Sequence, residues 1–289
     1  MEERVSFASD GLKLAGVLHL PEARGPGERR AAFLVLHGFG SNKDGGGGTT
    51  VAKMLAGLGY AALRFDFRGC GESEGERGRV ICKEQVKDAR NALSFLATRA
   101  EIDPKRIGVV GQSFGAAVAV YAAGVDRRVA ACISSGGWGD GAKKFRKQHA
   151  SSRAWKKFTS MMKEGKRRKR AGKPMSVPRY DIVPIPPRLR GNLAPGSIME
   201  FPFEVVETMY AFNANEVVGR IAPRPLLLLH SANDSVTPTE QSVELFRRAG
   251  RPTDLHLIAD VDHFMFSEGN TLVVNLVRNW LAKYFPARV

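Results

Sequence analysis

Apolar residues along the chain switch between two spacings, and the switches mark its elements. Residues 5–20 alternate, most clearly in Leu12-Lys13-Leu14-Ala15-Gly16-Val17-Leu18, and predict two strands joined at Asp10-Gly11 as an antiparallel hairpin. The run Ala31-Ala32-Phe33-Leu34-Val35-Leu36 is apolar throughout, as a strand covered on both faces must be, and predicts that a parallel sheet begins there. Comparable short runs recur at 60–67, 107–111, 129–134, 225–230 and 254–259. Between them, 84–99 sets Val86, Ala89, Leu93 and Leu96 on one helical face, 115–123 is a helix of small residues, and 239–249 and 271–284 supply two more helices. This β-α alternation predicts a doubly wound α/β core with a mostly parallel sheet of about eight strands.

The alternation stops between Gly139 and about Glu216, which divides the chain into a first core part (1–138), an insertion (139–216) and a second core part (217–289). The stretch 142–163 carries Phe145, Trp155, Phe158, Met161 and Met162, enough for one or two amphipathic helices. The following stretch has six prolines from Pro174 to Pro195 and is expected to cross the surface as an extended path without regular structure. As a whole the insertion reads as a cap over the C-terminal edge of the sheet, where open α/β sheets bind ligands. Residues 45–48, all glycine, read as a flexible loop.

Charge singles out the same insertion. The chain has a net charge of +15, and residues 139–191 hold 17 Lys and Arg against three acids, so nearly all of the excess lies in one segment. Three readings stay open: a positive field that favours an anionic small-molecule substrate, a nucleic-acid surface around 166–170 with Trp155 and Phe158 as stacking groups, or a solvated exterior with its aromatics turned inward. The nucleic-acid reading is disfavoured, since nothing else resembles a nucleic-acid module. No apolar run is long enough to span a membrane, and the N-terminal residues lack the pattern of a signal peptide, so a cytoplasmic protein is expected. Cys70, Cys82 and Cys132 have no metal-like spacing and are expected to be reduced structural thiols.

The candidate chemistry lies at strand ends. Gly111-Gln112-Ser113-Phe114-Gly115 follows an apolar strand and opens the small-residue helix, the context in which G-x-S-x-G is informative. A serine on so tight a turn needs glycine on either side, and the turn aims the N-terminus of the helix at developing negative charge. A bare pentapeptide of this kind could equally close an ordinary β-α unit; its placement makes Ser113 the candidate nucleophile. Serine needs a base, and of six histidines His263 alone lies in a loop after the last sheet strand. His19, His149, His230 and His256 fall in the hairpin, the insertion or strands, and His37 is assigned a structural hydrogen bond. For the residue that orients the base, Asp234 sits in a polar loop after the strand at 225–230. Asp260 and Asp262 are too close to His263 in sequence, and Asp66 suits a structural turn or ion pair. The amides of Phe39, in His37-Gly38-Phe39-Gly40, and of Phe114 are the candidate oxyanion hole, with Gly38 and Gly40 as alternatives to Phe39.

These pieces, together with Asp66-Phe67-Arg68-Gly69-Cys70-Gly71-Glu72-Ser73, make the chain resemble the α/β-hydrolase superfamily over nearly its whole length outside the insertion. Within it, the chain resembles bacterial esterases and acyl peptidase-like enzymes near dienelactone hydrolase, which itself carries cysteine where this chain has Ser113. The aspartate nucleophile of haloalkane dehalogenases and epoxide hydrolases is also absent. The resemblance implies the α/β-hydrolase fold and a serine hydrolase with no cofactor and no metal, cleaving a carboxylic ester through an acyl-enzyme. Amidase or acyl-aminoacyl peptidase, thioesterase and lactonase activities share the same machinery. A non-catalytic binding protein on this fold is the alternative of another class. Substrate identity and oligomeric state, a homo-oligomer included, stay open.

Overall fold

A computed structural model describes residues 1–21, 27–266 and 271–288. The hairpin forms as β1 (Glu2–Ser9) and β2 (Leu12–His19), in antiparallel register from Glu2 opposite His19 to Ser9 opposite Leu12. There follow β3 (Arg30–Leu36), α1 (Gly46–Gly57), β4 (Ala61–Phe65), α2 (Cys82–Thr98), β5 (Ile102–Gln112), α3 (Phe114–Val125) and β6 (Val129–Ser135). Strand order in the eight-stranded sheet is β1-β2-β4-β3-β5-β6, continued by β9 (Leu226–Ser231) and β10 (Thr253–Ile258). Every pairing from β4 onward is parallel, and β2 joins β4 antiparallel.

Strand β3 shows why its sequence is apolar throughout. Ala31, Phe33 and Val35 pack on one side against Val51 and Leu55 of α1 and against Val273 and Trp280 of α9 (Thr271–Tyr284). Ala32, Leu34 and Leu36 face the other layer, which holds Val86, Ala89 and Leu93 of α2 and much of α3. The sheet is therefore covered on both faces and presents the C-terminal ends of its parallel strands at one edge.

Between β6 and β9 lie α4 (Gly141–Gln148), α5 (Ser152–Arg170), β7 (Ser176–Pro178), α6 (Arg179–Ile182), β8 (Glu200–Pro202) and α7 (Phe203–Ala211); α8 (Glu240–Arg248) lies between β9 and β10. Two expectations need correction. The second part of the 139–216 segment is not an unstructured path: β7 and β8 pair antiparallel, residues 187–192 form a 3-10 turn, and α7 starts after Pro202, where a residue of fixed φ fits ahead of the first turn. Nor are residues 45–48 a loop, since Gly46 to Gly48 form the first turn of α1. Burial of Val51, Ala52 and Leu55 against the sheet outweighs the poor helix propensity of the glycines.

The expected amphipathic helices form as α4 and α5, and α5 continues to the end of the basic run. Phe158, Met162 and Gly165 are its buried positions, while most of the cations face outward. Phe158 stacks on Phe145 at 4.9 Å, and the half-buried Trp155 lies beneath Arg146, so neither ring is presented for stacking with bases. No helix among the described residues is long and apolar enough to cross a membrane.

Candidate active site

The turn between β5 and α3 places Ser113 at φ 54° and ψ −115°, and among the described residues only Asp10 and Ser113 are non-glycine residues at positive φ. A side chain has little room beside it. A Cβ at Gly111 would run into the backbone of Gly115, and one at Gly115 into the carbonyls of Leu36 and His37. Sequence and geometry agree here for a physical reason: the strained conformation of Ser113 is tolerable only where the flanking chain carries no Cβ.

His263 and Asp234 reach this turn from the loops after β10 and β9. His263 Nε2 lies 2.8 Å from Ser113 Oγ, and His263 Nδ1 lies 2.8 Å from Asp234 Oδ2. The side chain of Asp234 is fully buried and that of His263 nearly so. Asp234 Oδ1 accepts the amides of Val236 at 2.8 Å and Thr237 at 2.7 Å, and His230 Nε2 lies 3.3 Å from Oδ2. Burial works against the charge on Asp234, but His263 and His230 outweigh it and hold the carboxyl below the usual carboxylate range. The structure thus brings together the three residues that the sequence had singled out.

The other candidates go elsewhere. Asp262 accepts the amides of Ser235 at 2.9 Å and of His263 at 2.7 Å and receives Arg188 at 2.6 Å, so it fixes the loop and does not face the imidazole ring. Asp66 is fully buried and accepts Lys43 N at 2.6 Å, Lys43 Nζ at 3.0 Å and Glu72 N at 2.9 Å. His37 accepts the Phe67 amide at 3.2 Å on Nε2, and its Nδ1 lies 2.9 Å from the Gly38 carbonyl; burial lowers its pKa and favours the neutral ring. His149 bonds to the carbonyls of Phe145 and Asp181, and His19 accepts Arg64 Nε. The three cysteines are buried, and burial pushes the thiols of Cys82 and Cys132 up to about 12. No group of three or more His, Cys, Asp or Glu among the described residues could hold a metal ion.

The N–H groups of Phe39 and Phe114 have no hydrogen-bond partner among the described residues. A Cβ built on Gly38 would lie 3.7 Å from Ser113 Cβ, so the loop after β3 passes directly beside the serine. A cavity of about 70 Å³ opens on Ser113 and His263, with Phe39, Val236 and Phe264 on the core side and Val183, Ile185 and Leu193 on the side of the 139–216 segment. Arg179 also lines it, a residue the sequence reading did not single out. Nothing local distinguishes Arg179 from the many cations around it, because its burial arises from contacts with Phe39 and Ile198.

Comparison with known proteins bears on the family and the fold. Residues 33–276 match the Alpha/beta hydrolase family. The chain belongs to that family. Among relatives of this hydrolase, polyketide transferase claH of Penicillium crustosum is 27% identical over 289 residues, covering 92% of each chain. Thiohydrolase aneE of Aspergillus aculeatus is 40% identical over 129 residues, covering 43% of this hydrolase and 38% of aneE. The crystal structure of the α/β hydrolase GrgF from Penicillium sp. sh18 superimposes with a TM-score of 0.78 at 22% identity, covering 98% of this hydrolase and 99% of GrgF. That likeness is one of fold.

Proposed function

We propose that the chain is a serine hydrolase that cleaves a carboxylic ester through an acyl-enzyme. The observation that carries this reading is the unbroken line of short hydrogen bonds from Ser113 through His263 to Asp234, opening on a largely apolar cavity. Ser113 Oγ attacks the ester carbonyl as His263 Nε2 takes its proton, and Asp234 holds the ring in the tautomer with hydrogen on Nδ1 and stabilises the imidazolium that forms. The amides of Phe39 and Phe114 receive the negative charge of the tetrahedral intermediate. His263 then gives its proton to the departing alkoxide, which leaves the acyl group on Ser113. A water molecule, deprotonated by His263, attacks the acyl carbonyl, and proton return to Ser113 releases the acid. Residues 139–216 act as a cap, with Val183, Ile185 and Leu193 forming its face toward the acyl group.

A second reading, in which the acyl donor is a thioester or the acyl group passes to an acceptor other than water, is favoured by the names of the relatives, a thiohydrolase and a polyketide transferase. It uses the same Ser113, His263 and Asp234. Hydrolysis of p-nitrophenyl acetate and butyrate by wild type and Ser113→Ala tests the shared chemistry, and a panel of ester, thioester and amide donors with and without alcohol acceptors separates the two. Equal rates for wild type and Ser113→Ala on every donor would sink both.

A further inference from the structure

Arg179 is a cation placed where a charge is expensive. It is 3% exposed. It forms no ion pair with a carboxylate among the described residues, and its Nε has no hydrogen-bond partner there. Its remaining donors go to main-chain carbonyls: Nη1 to Ile198 at 2.7 Å and to Gly40 at 3.5 Å, and Nη2 to Phe39. Burial lowers its pKa to about 10, so the group stays charged at neutral pH. A buried guanidinium compensated by carbonyls alone costs stability that an apolar side chain of similar volume would not.

The surroundings show what that cost supports. Gly38 O receives the Ser41 amide at 3.2 Å and lies 2.9 Å from His37 Nδ1, so the N–H of Phe39, on the opposite side of the same trans peptide, points away from that turn. The next carbonyl, of Phe39, is the one Arg179 grips. Gly40 O also accepts the Ile198 amide at 2.8 Å, and the Phe39 ring stacks on Phe201 at 4.1 Å. Gly40 sits at φ 51°, and a Cβ there would collide with Phe201 and lie 3.2 Å from Arg179 Nη1, so the fit of loop to clamp needs glycine. Arg179, Ile198 and Phe201 all belong to the cap, whereas residues 37–41 belong to the core.

We propose that Arg179 is a positioning residue for acyl transfer: it clamps the Phe39 and Gly40 carbonyls from the cap side, fixes the Phe39 amide as an oxyanion donor beside Ser113, and so makes the oxyanion hole depend on the cap being seated. The inference rests on the serine-hydrolase reading. The positive charge of Arg179, paired with no carboxylate among the described residues, acts in the same direction, because it favours negative charge on the substrate oxygen.

The test compares Arg179→Lys and Arg179→Met with wild type and Ser113→Ala on p-nitrophenyl butyrate, with active sites counted by stoichiometric fluorophosphonate labelling and folding followed by thermal melting. Arg179→Met is expected to lower kcat per labelled site by about ten- to hundredfold with KM within about threefold, and Arg179→Lys to recover part of that loss. Turnover per labelled site within about twofold of wild type in both variants, with only Tm or the labelled fraction reduced, would overturn the proposal, as would a rise in KM at constant kcat. If Arg179→Met does not fold, Arg179→Lys decides by the same criteria. Wild-type turnover in Ser113→Ala would instead remove the hydrolase reading itself, a separate outcome from a null result at Arg179.

Discussion

Two walls face each other across the cavity, and different forces hold them. The core wall is set by backbone: a strained serine between two glycines, an aspartate pinned by two amides, and a histidine whose loop is tied through Asp262. The wall from 139–216 is set by side chains, with Val183, Ile185 and Leu193 in apolar packing and one buried cation reaching across to the Phe39 loop. Backbone constraints leave few residue types that fit a position, whereas an apolar wall accepts many residues of suitable volume. On the serine-hydrolase reading proposed above, the first wall specifies the chemistry, and the second specifies which molecules fit.

Breaking the core wall is expected to have the largest effects. Ser113→Ala should lower kcat on p-nitrophenyl butyrate by roughly a millionfold, leaving a residual rate above that of the uncatalysed reaction, while the melting temperature stays near that of wild type. Asp234→Asn keeps the shape of the site, but with its amide oxygen held by the Val236 and Thr237 amides its NH2 group faces His263 Nδ1 and donates to it, which selects the wrong tautomer, and its kcat should fall by about ten thousandfold in the same assay. A loss of less than about tenfold in either variant would mean that the line from Ser113 to Asp234 is not what turns over the ester.

The junction between the walls gives an effect on stability instead of turnover. Lys144, in α4, is 2% exposed, and its Nζ has no hydrogen-bond partner among the described residues; it lies 4.2 Å from the centre of the Phe145 ring and 5.2 Å from that of Trp138. Burial lowers its pKa from 10.5 to about 7. The unfolded chain then binds a proton at this position that the folded chain does not between those two values, so this residue makes stability rise with pH across that window and exacts its full penalty below it. Lys144→Met should remove a slope of up to about 1.4 kcal/mol per pH unit. Chemical denaturation of both proteins at about pH 6 and about pH 9.5 checks the sign: the variant should gain more over wild type at the lower pH. A gain independent of pH would mean that the amine is not buried in its neutral form.

How much of each wall could be read from the sequence follows from the same difference. The Ser113 turn was legible because strand, glycine, serine, glycine and helix are all local, and the order of the Asp234 and His263 loops followed from counting parallel strands. The second bond of His230 to Asp234 and the loop-fixing role of Asp262 needed three dimensions. In the insertion, periodicity found α4 and α5 because Phe145, Phe158 and Met162 recur at helical spacing. Proline content misled the reading of residues 174–216, since prolines at element starts and ends are compatible with β7, β8 and α7. Arg179 was hidden because its partners lie 19 and 140 residues away, and it is one of 17 Lys and Arg residues in the 139–191 segment with no local feature that sets it apart.

The smallest expected effect is at the outer face of the insertion, where most of the chain's excess positive charge lies. Lys166 and Arg170 project into solvent, Arg167 pairs with Glu164 at 2.7 Å, and Lys169 pairs with Glu207 at 2.6 Å. Exposed pairs of this kind contribute little to stability and are screened within about 8 Å at physiological salt. Replacing residues 166–170 by glutamine should therefore leave kcat and KM for a neutral ester within about twofold of wild type. An ester carrying a free carboxylate is the sharper probe. If the basic face steers anionic substrates, wild-type kcat/KM for that ester should fall with added salt, and the glutamine variant should start lower and lose the salt dependence, with kcat unchanged. If both proteins respond to salt alike, the charge of this face serves solvation, and the proposed reading leaves specificity to Val183, Ile185 and Leu193 in the cavity wall.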